Sequence, residues 1–210
     1  MKKCSYMSER LEMLEIMRYL YDRKLTNAAG GNLSVRVEEN RLLISPSMMS
    51  EHHRCVLAPE DLLVIDYECN IVEGPQKLSR ESKMHALMLK TFPEFRAVIH
   101  AHPQYTMCFA AFGQPIPSVT EATMKMGPCG VIEQAWAYSE ELAQRTCEYF
   151  LQNRARAQAM GLQGILPQHG IVAAGPSLNK AYSIVERYEW DAMANIFEEA
   201  VLRAGAKVGQ

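Results

Sequence analysis

Apolar residues recur at helical spacing over residues 8–24, where Leu11, Leu14, Met17 and Leu20/Tyr21 fall on one face. That spacing predicts an amphipathic helix capped by Ser8, with Glu9 near its start. Asn27-Ala28-Ala29-Gly30-Gly31-Asn32 breaks the pattern. Its glycines fit a helix stop and a tight turn, and equally a backbone that a ligand approaches closely. The period then changes. Leu33–Val37 and Arg41–Ser45 read as strands of an antiparallel hairpin joined by Glu38-Glu39-Asn40. Residues 45–54 read as a polar loop carrying Met48 and Met49, a site wall or a surface excursion. His52 and His53 are adjacent and would diverge in an extended segment. Leu62–Asp66 and Ile71-Val72 suggest a second hairpin around residues 67–70.

A helix opens at Ser79 and runs to about Thr91, before Pro93. Ser79 is its candidate N-cap, which puts Glu81 in the first turn, where the helix dipole favours a negative charge. Glu81 and His85 lie four apart on one face. Ala97-Val98-Ile99-His100-Ala101-His102 reads as a strand that Pro103 ends. A short helix over 104–112 and a loop over 113–117 follow. Residues 119–130 carry no single pattern, although Glu121 and Lys125 have helical spacing. Ile132–Trp136 suggests a short strand. Ser139 caps a long helix whose apolar face holds Leu142, Thr146/Cys147 and Tyr149/Phe150, with Arg154 and Arg156 suiting its dipole at the end. Ile165–Gly175 reads as a buried strand interrupted at His169-Gly170. The final helix, 178–203, ends before Gly205. Its broad apolar face suggests burial on two sides, one of them against another subunit.

At 210 residues, 48% apolar and 22% charged, the chain has the make-up of a single globular domain spanning residues 1–210. A net charge of −2 gives no nucleic-acid footprint, so an anionic ligand needs a local site. No run approaches the ~20 apolar residues of a membrane span, and the N-terminus has no apolar signal core. Cys4, Cys55, Cys69, Cys108, Cys129 and Cys147 form no C-x-x-C pair. They read as free thiols of a reducing compartment, the cytoplasm, and their spacing argues against a cysteine zinc site.

Histidines carry the candidate chemistry instead. Strand side chains alternate, so His100 and His102 point the same way and can face one metal ion. The competing reading is a pair of imidazoles hydrogen-bonded in a polar crevice. His169 alone would read as a core histidine. With the pair and Glu81 it completes the inventory of a catalytic divalent site. Three imidazoles leave one open position on tetrahedral zinc. A carboxylate beside that position can act as acid or base, and the metal polarises a carbonyl or stabilises an enediolate oxygen. Ser79, Arg80 and the free N–H groups of a helix start suit a phosphate or carboxylate.

Gly31-Asn32-Leu33-Ser34, Ser45-Pro46-Ser47, Ser79-Arg80-Glu81 with His85, His100-Ala101-His102-Pro103 and Gln168-His169-Gly170 occur in that order. Over residues 8–200 this set resembles the class II aldolase/adducin family. The resemblance implies a three-layer α/β/α sandwich on a largely antiparallel sheet, and a homo-oligomer, usually a tetramer with sites between subunits. It implies zinc, or another divalent ion such as manganese or cobalt, held by His100, His102 and His169. Glu81 would be the acid/base carboxylate that can also touch the metal, and Asn32, Ser47, Ser79 and Arg80 would bind phosphate. Three positions depart from the family's aldolase pattern. Met48 replaces a glycine of the phosphate loop, and Arg80 replaces a serine. Glu121 stands where a catalytic tyrosine reaches in from a neighbouring subunit. The implied activity is a zinc-dependent carbon–carbon lyase acting through an enediolate on a small hydroxy-ketone, a sugar phosphate. A decarboxylase, 4-epimerase or dehydratase would use the same metal site. A non-catalytic oligomerisation module, as in adducin, is the reading from another class.

Overall fold

In the computed structural model, which describes residues 4–74, 77–157 and 160–204, the first helix α1 (Met7–Asp22) buries Met13, Met17 and Leu20. Tyr6, not Ser8, precedes it, in a left-handed conformation (φ 58°) with no side-chain cap. Strands β1 (Asn32–Glu38) and β2 (Arg41–Ile44) form the expected antiparallel hairpin. The polar loop after it contains a short helix α2 (Met49–His53), entered through Met48 at φ 62°. Met48 thus adopts the left-handed conformation that a glycine takes without strain. Strands β3 (Leu63–Ile65) and β4 (Ile71–Glu73) pair as the second hairpin. Helix α3 (Ser82–Thr91) leads to β5 (Ala97–Ala101). Short helices α4 (Thr106–Ala111) and α5 (Glu121–Met124) come next. Helix α6 (Glu140–Gln152) is capped by Ser139, whose Oγ accepts from the Leu142 N–H. Strands β6 (Leu162–Leu166) and β7 (Gly170–Gly175) precede the long helix α7 (Leu178–Arg203).

Two expected elements differ. Ile132–Trp136 is irregular; a single bridge joins Val131 to Ile165. The following side chains face water, Trp136 at 80% exposure, so nothing pins that stretch to a second neighbour. Residues 165–175 are not one interrupted strand. They belong to two antiparallel strands, β6 and β7, because Pro167 has no N–H to donate and Gln168 turns left-handed (φ 57°). His169 therefore sits on a hairpin turn, not in a strand.

The seven strands form one antiparallel sheet in the order β4-β3-β2-β1-β5-β7-β6. Side-chain alternation divides the core in two. Leu33, Val35, Ala97, Ile99 and Ala173 pack with Met13 and Met17 of α1 and Ile184 and Tyr188 of α7. Leu42, Ile44, Val98, Val172 and Ala174 pack with Met84 and Met88 of α3 and Leu142 and Phe150 of α6. The architecture is the three-layer α/β/α sandwich on an antiparallel sheet. His100 follows Ile99 in β5, so alternation turns it to the α3 side. The second half of α7 leaves Ile196, Phe197, Val201 and Leu202 exposed in a single chain. Gly205 lies outside the described residues.

Candidate metal centre and anion cleft

The register of β1 against β5 places Asn32 directly across from His100. His102 follows one residue past the end of β5, and the turn between β6 and β7 brings His169 over both. The three rings have centroids 4.4–5.5 Å apart, and each offers a nitrogen within 4.8 Å of the others. Close approach of β7 requires glycine at 170. A Cβ there would sit 2.7 Å from His102 Cδ2 and 3.2 Å from His100 Cε1.

Hydrogen bonds assign the protons. His100 Nδ1 lies 3.0 Å from the Ile171 carbonyl, an acceptor only, so Nδ1 carries the hydrogen. His102 Nδ1 lies 3.3 Å from Asn27 Oδ1, which also accepts from the Ala29 N–H at 2.9 Å. Both Nε2 atoms are therefore bare in the neutral rings, and they face each other at 3.0 Å. Two opposed lone pairs repel unless a cation lies between them. Tetrahedral zinc with imidazole ligands sets nitrogens roughly 3.3 Å apart. The residues present thus fit a divalent ion, which His100, His102 and His169 could hold. Burial holds the His100 ring well below the ordinary histidine pKa, with His169 and His102 adding to the shift. Burial, then His169, pushes His102 down to about 4. Burial also lowers His169, while Glu81 opposes it. All three rings are ready to bind metal at neutral pH.

Glu81 stands at the N-cap of α3, a place expected for Ser79. Its carboxylate makes no capping bond. It turns instead toward the histidines, 3.6 Å from His169 Nε2 and 3.9 Å from His100 Nε2. The Asn32 amide nitrogen donates to Glu81 Oε2. Asn32 Oδ1 in turn lies 2.6 Å from His85 Nε2, and His85 Nδ1 lies 2.7 Å from Ser34 Oγ. His85 is fully buried, and burial pushes its pKa down to about 3.

The histidine cluster opens on a cleft of about 320 Å³ lined also by Gly30, Gly31, Ser47, Met48, Ser79, Arg80 and Tyr138. Ser47, Ser79 and Arg80 thus line one cleft. The Arg80 guanidinium lies 4.5 Å from the centre of the Tyr138 ring. Asn32 reaches the same cleft, but its amide is engaged by Glu81 and His85. Glu121 does not reach it. It lies exposed at the start of α5, outside the cleft lining. His52 and His53 sit in α2, outside the histidine group. Sequence reasoning missed Asn27, Tyr138 and the role of His85. Asn27 had a signal, an amide beside a glycine turn; Tyr138 had none.

Residues 11–196 match the model of the Class II Aldolase and Adducin N-terminal domain. The chain is 31% identical over 185 residues to an L-fuculose phosphate aldolase of Methanococcus maripaludis, covering 88% of this chain and 94% of that one. It is 31% identical over 183 residues to a 3-oxo-tetronate 4-phosphate decarboxylase of Haemophilus influenzae, covering 84% and 81%. A solved L-fuculose 1-phosphate aldolase superposes with a TM-score of 0.77 at 28% identity, covering 96% of this chain and 89% of that one.

Proposed function

Because the chain belongs to the class II aldolase and adducin family, we propose that it is a divalent-metal-dependent carbon–carbon lyase for a small phosphorylated hydroxy-ketone. The supporting observation is the pair of bare histidine nitrogens, 3.0 Å apart, at the floor of a cleft lined by Ser47, Ser79 and Arg80, with a carboxylate beside them. His100, His102 and His169 would hold zinc, manganese or cobalt, which supplies polarisation of the substrate carbonyl and stabilises charge on its oxygen. The chain's own residues do the rest. Ser47, Ser79 and the Arg80 guanidinium bind the phosphate and fix the substrate's orientation. Glu81 accepts a proton from the substrate hydroxyl as the carbon–carbon bond breaks to release the aldehyde, and hands it to the carbon set free to give the ketone product; the reverse direction runs the same two transfers backwards. Asn32 holds that carboxylate in place.

Glu121 would act only in an assembly, on the cleft of a neighbouring copy. The exposed apolar stripe of α7 supports such an assembly, a homotetramer of one-domain chains. The six free thiols support a cytoplasmic location. Among the described residues no helix is long and apolar enough to cross a membrane.

Decarboxylation of a phosphorylated 3-oxo acid is the second reading. The decarboxylase relative favours it, as does Arg80, whose planar donors fit a carboxylate as well as a phosphate. Metal-free protein, offered ketose 1-phosphates and 3-oxo acid phosphates with and without zinc, manganese or cobalt, separates these. Metal-restored cleavage of a ketose phosphate is expected. Carbon dioxide release alone would move the assignment to decarboxylase, and full turnover without metal would remove the metal from the reaction.

A further inference from the structure

We infer that His85 is a positioning residue. It is protonated on Nε2 and turns Asn32 so that the amide nitrogen, not the carbonyl, faces Glu81. The inference rests on the proposed acid/base role of Glu81. It starts from an arrangement that packing alone does not require. His85 is fully buried on α3, one helical turn beyond Glu81. Its ring bonds Asn32 and Ser34, two residues apart on β1 and therefore on one face of the strand.

The proton positions follow from the far end. An ionised carboxylate can only accept, so Asn32 must present Nδ2 to Glu81. Asn32 Oδ1 is then left facing His85 Nε2, and an oxygen facing a ring nitrogen at 2.6 Å requires the hydrogen on Nε2. In the neutral ring Nδ1 is then bare and accepts from the Ser34 hydroxyl, 2.7 Å away. The opposite tautomer would favour a flipped Asn32, with its carbonyl against the carboxylate. Glu81 has little else to fix it. It makes no bond to its own helix end, and its nearest histidine nitrogens are 3.6 and 3.9 Å away. A chain of three directed hydrogen bonds, Ser34 to His85 to Asn32 to Glu81, thus sets where the carboxylate stands.

The test begins with the unmodified zinc-loaded protein, labelled with ¹⁵N-histidine at neutral pH. Long-range proton–nitrogen spectra should show His85 as the neutral Nε2–H tautomer. An Nδ1–H tautomer or an imidazolium would overturn the inference. That readout involves no turnover, so it stands apart from failure of the lyase assignment. Two variants follow. His85→Gln keeps an N–H near the Nε2 position, whereas His85→Leu removes it. Both should keep full zinc content. With the substrate found in the ketose phosphate assays, His85→Leu should lose about tenfold or more in kcat at little change in KM, and His85→Gln should recover most of it. Wild-type kcat in His85→Leu, or an equal loss in both variants, would reduce His85 to a packing residue. If His85→Leu does not fold, the tautomer decides.

Discussion

His100 Nε2 and His102 Nε2 face each other at 3.0 Å, and the acceptors beside the two Nδ1 atoms, the Ile171 carbonyl and Asn27 Oδ1, assign each neutral ring's hydrogen to Nδ1 and leave the facing nitrogens bare. An arrangement so costly without a cation predicts one divalent ion per chain. Elemental analysis of His100→Ala should find most of the metal gone. Asn27→Ala should weaken metal binding about 10–100-fold, because the partner that orients His102 is lost. Full occupancy in His100→Ala would disprove the three-histidine assignment.

Glu81→Gln keeps the shape of the side chain and removes its basicity, leaving three imidazoles for the metal. Metal content should stay near normal while kcat falls by about two to four orders of magnitude. Retention of metal with more than about a tenth of wild-type kcat would take Glu81 out of the proton transfer. Loss of metal would make Glu81 chiefly a ligand.

What the sequence conveyed followed period and chemistry. The β1–β2 and β3–β4 hairpins were legible because their apolar runs were short and bounded by turn residues. The histidine pair was legible because alternation in β5 needs no tertiary knowledge. His169 does join the histidine pair, but from a turn and not from a strand. Val172 and Ala174 on one side and Ile171 and Ala173 on the other are all buried, so the apolar run hid the turn at Pro167-Gln168. Ile132–Trp136 had strand-like residues without the neighbouring strand that would use them. His85 was seen on the face of Glu81, yet its bonds to Ser34 and Asn32 depend on which strand α3 covers. Tyr138 meets Arg80 across a loop, a contact that local sequence does not encode.

Arg80 and Tyr138 make separable contributions. A guanidinium bonded to phosphate is worth roughly 1.5–3 kcal/mol, so Arg80→Ala should raise KM about tenfold or more with a smaller change in kcat. On that reading Tyr138 steadies the guanidinium that stacks on its ring. An exposed cation–π contact is worth ~0.5–1 kcal/mol, so Tyr138→Ala should raise KM about two- to fivefold. Titration with inorganic phosphate as a competitor should show the same order. A KM unchanged in Arg80→Ala would mean that the anion binds elsewhere.

The apolar stripe of α7 predicts association. Trp190, Ile196, Phe197, Val201 and Leu202 are 41–53% exposed in one chain, more large apolar surface than a single helix usually shows to water. Sedimentation at micromolar concentration should give four chains of 23.7 kDa each. Charges introduced by Phe197→Lys with Val201→Lys should shift the protein to smaller species. A wild-type monomer would rule out the assembly, and with it any place for Glu121 in catalysis.

The buried histidines predict how the metal-free protein responds to acid. His85 is held to about 3 and His102 to about 4 in the folded chain, chiefly by burial, against 6.5 for a free imidazole. Well above pH 6.5 these rings are neutral in both folded and unfolded states, and they add no pH dependence. As pH falls below 6.5 the unfolded chain takes up protons that the folded chain refuses. The unfolded state then binds more protons, so stability must fall with pH. The slope approaches about 1.4 kcal/mol per pH unit for each such ring. Few carboxylates titrate between pH 6.5 and 5, which makes that window diagnostic. Urea unfolding of the metal-free protein should show constant stability above about pH 7 and a steady loss from 6.5 to 5. His85→Gln has no ring to protonate, so its slope in that window should be shallower by about one proton. Equal stability at pH 7 and pH 5 in the metal-free wild type would mean that these rings take up protons without unfolding, and that the histidine cluster opens to water once its metal is gone.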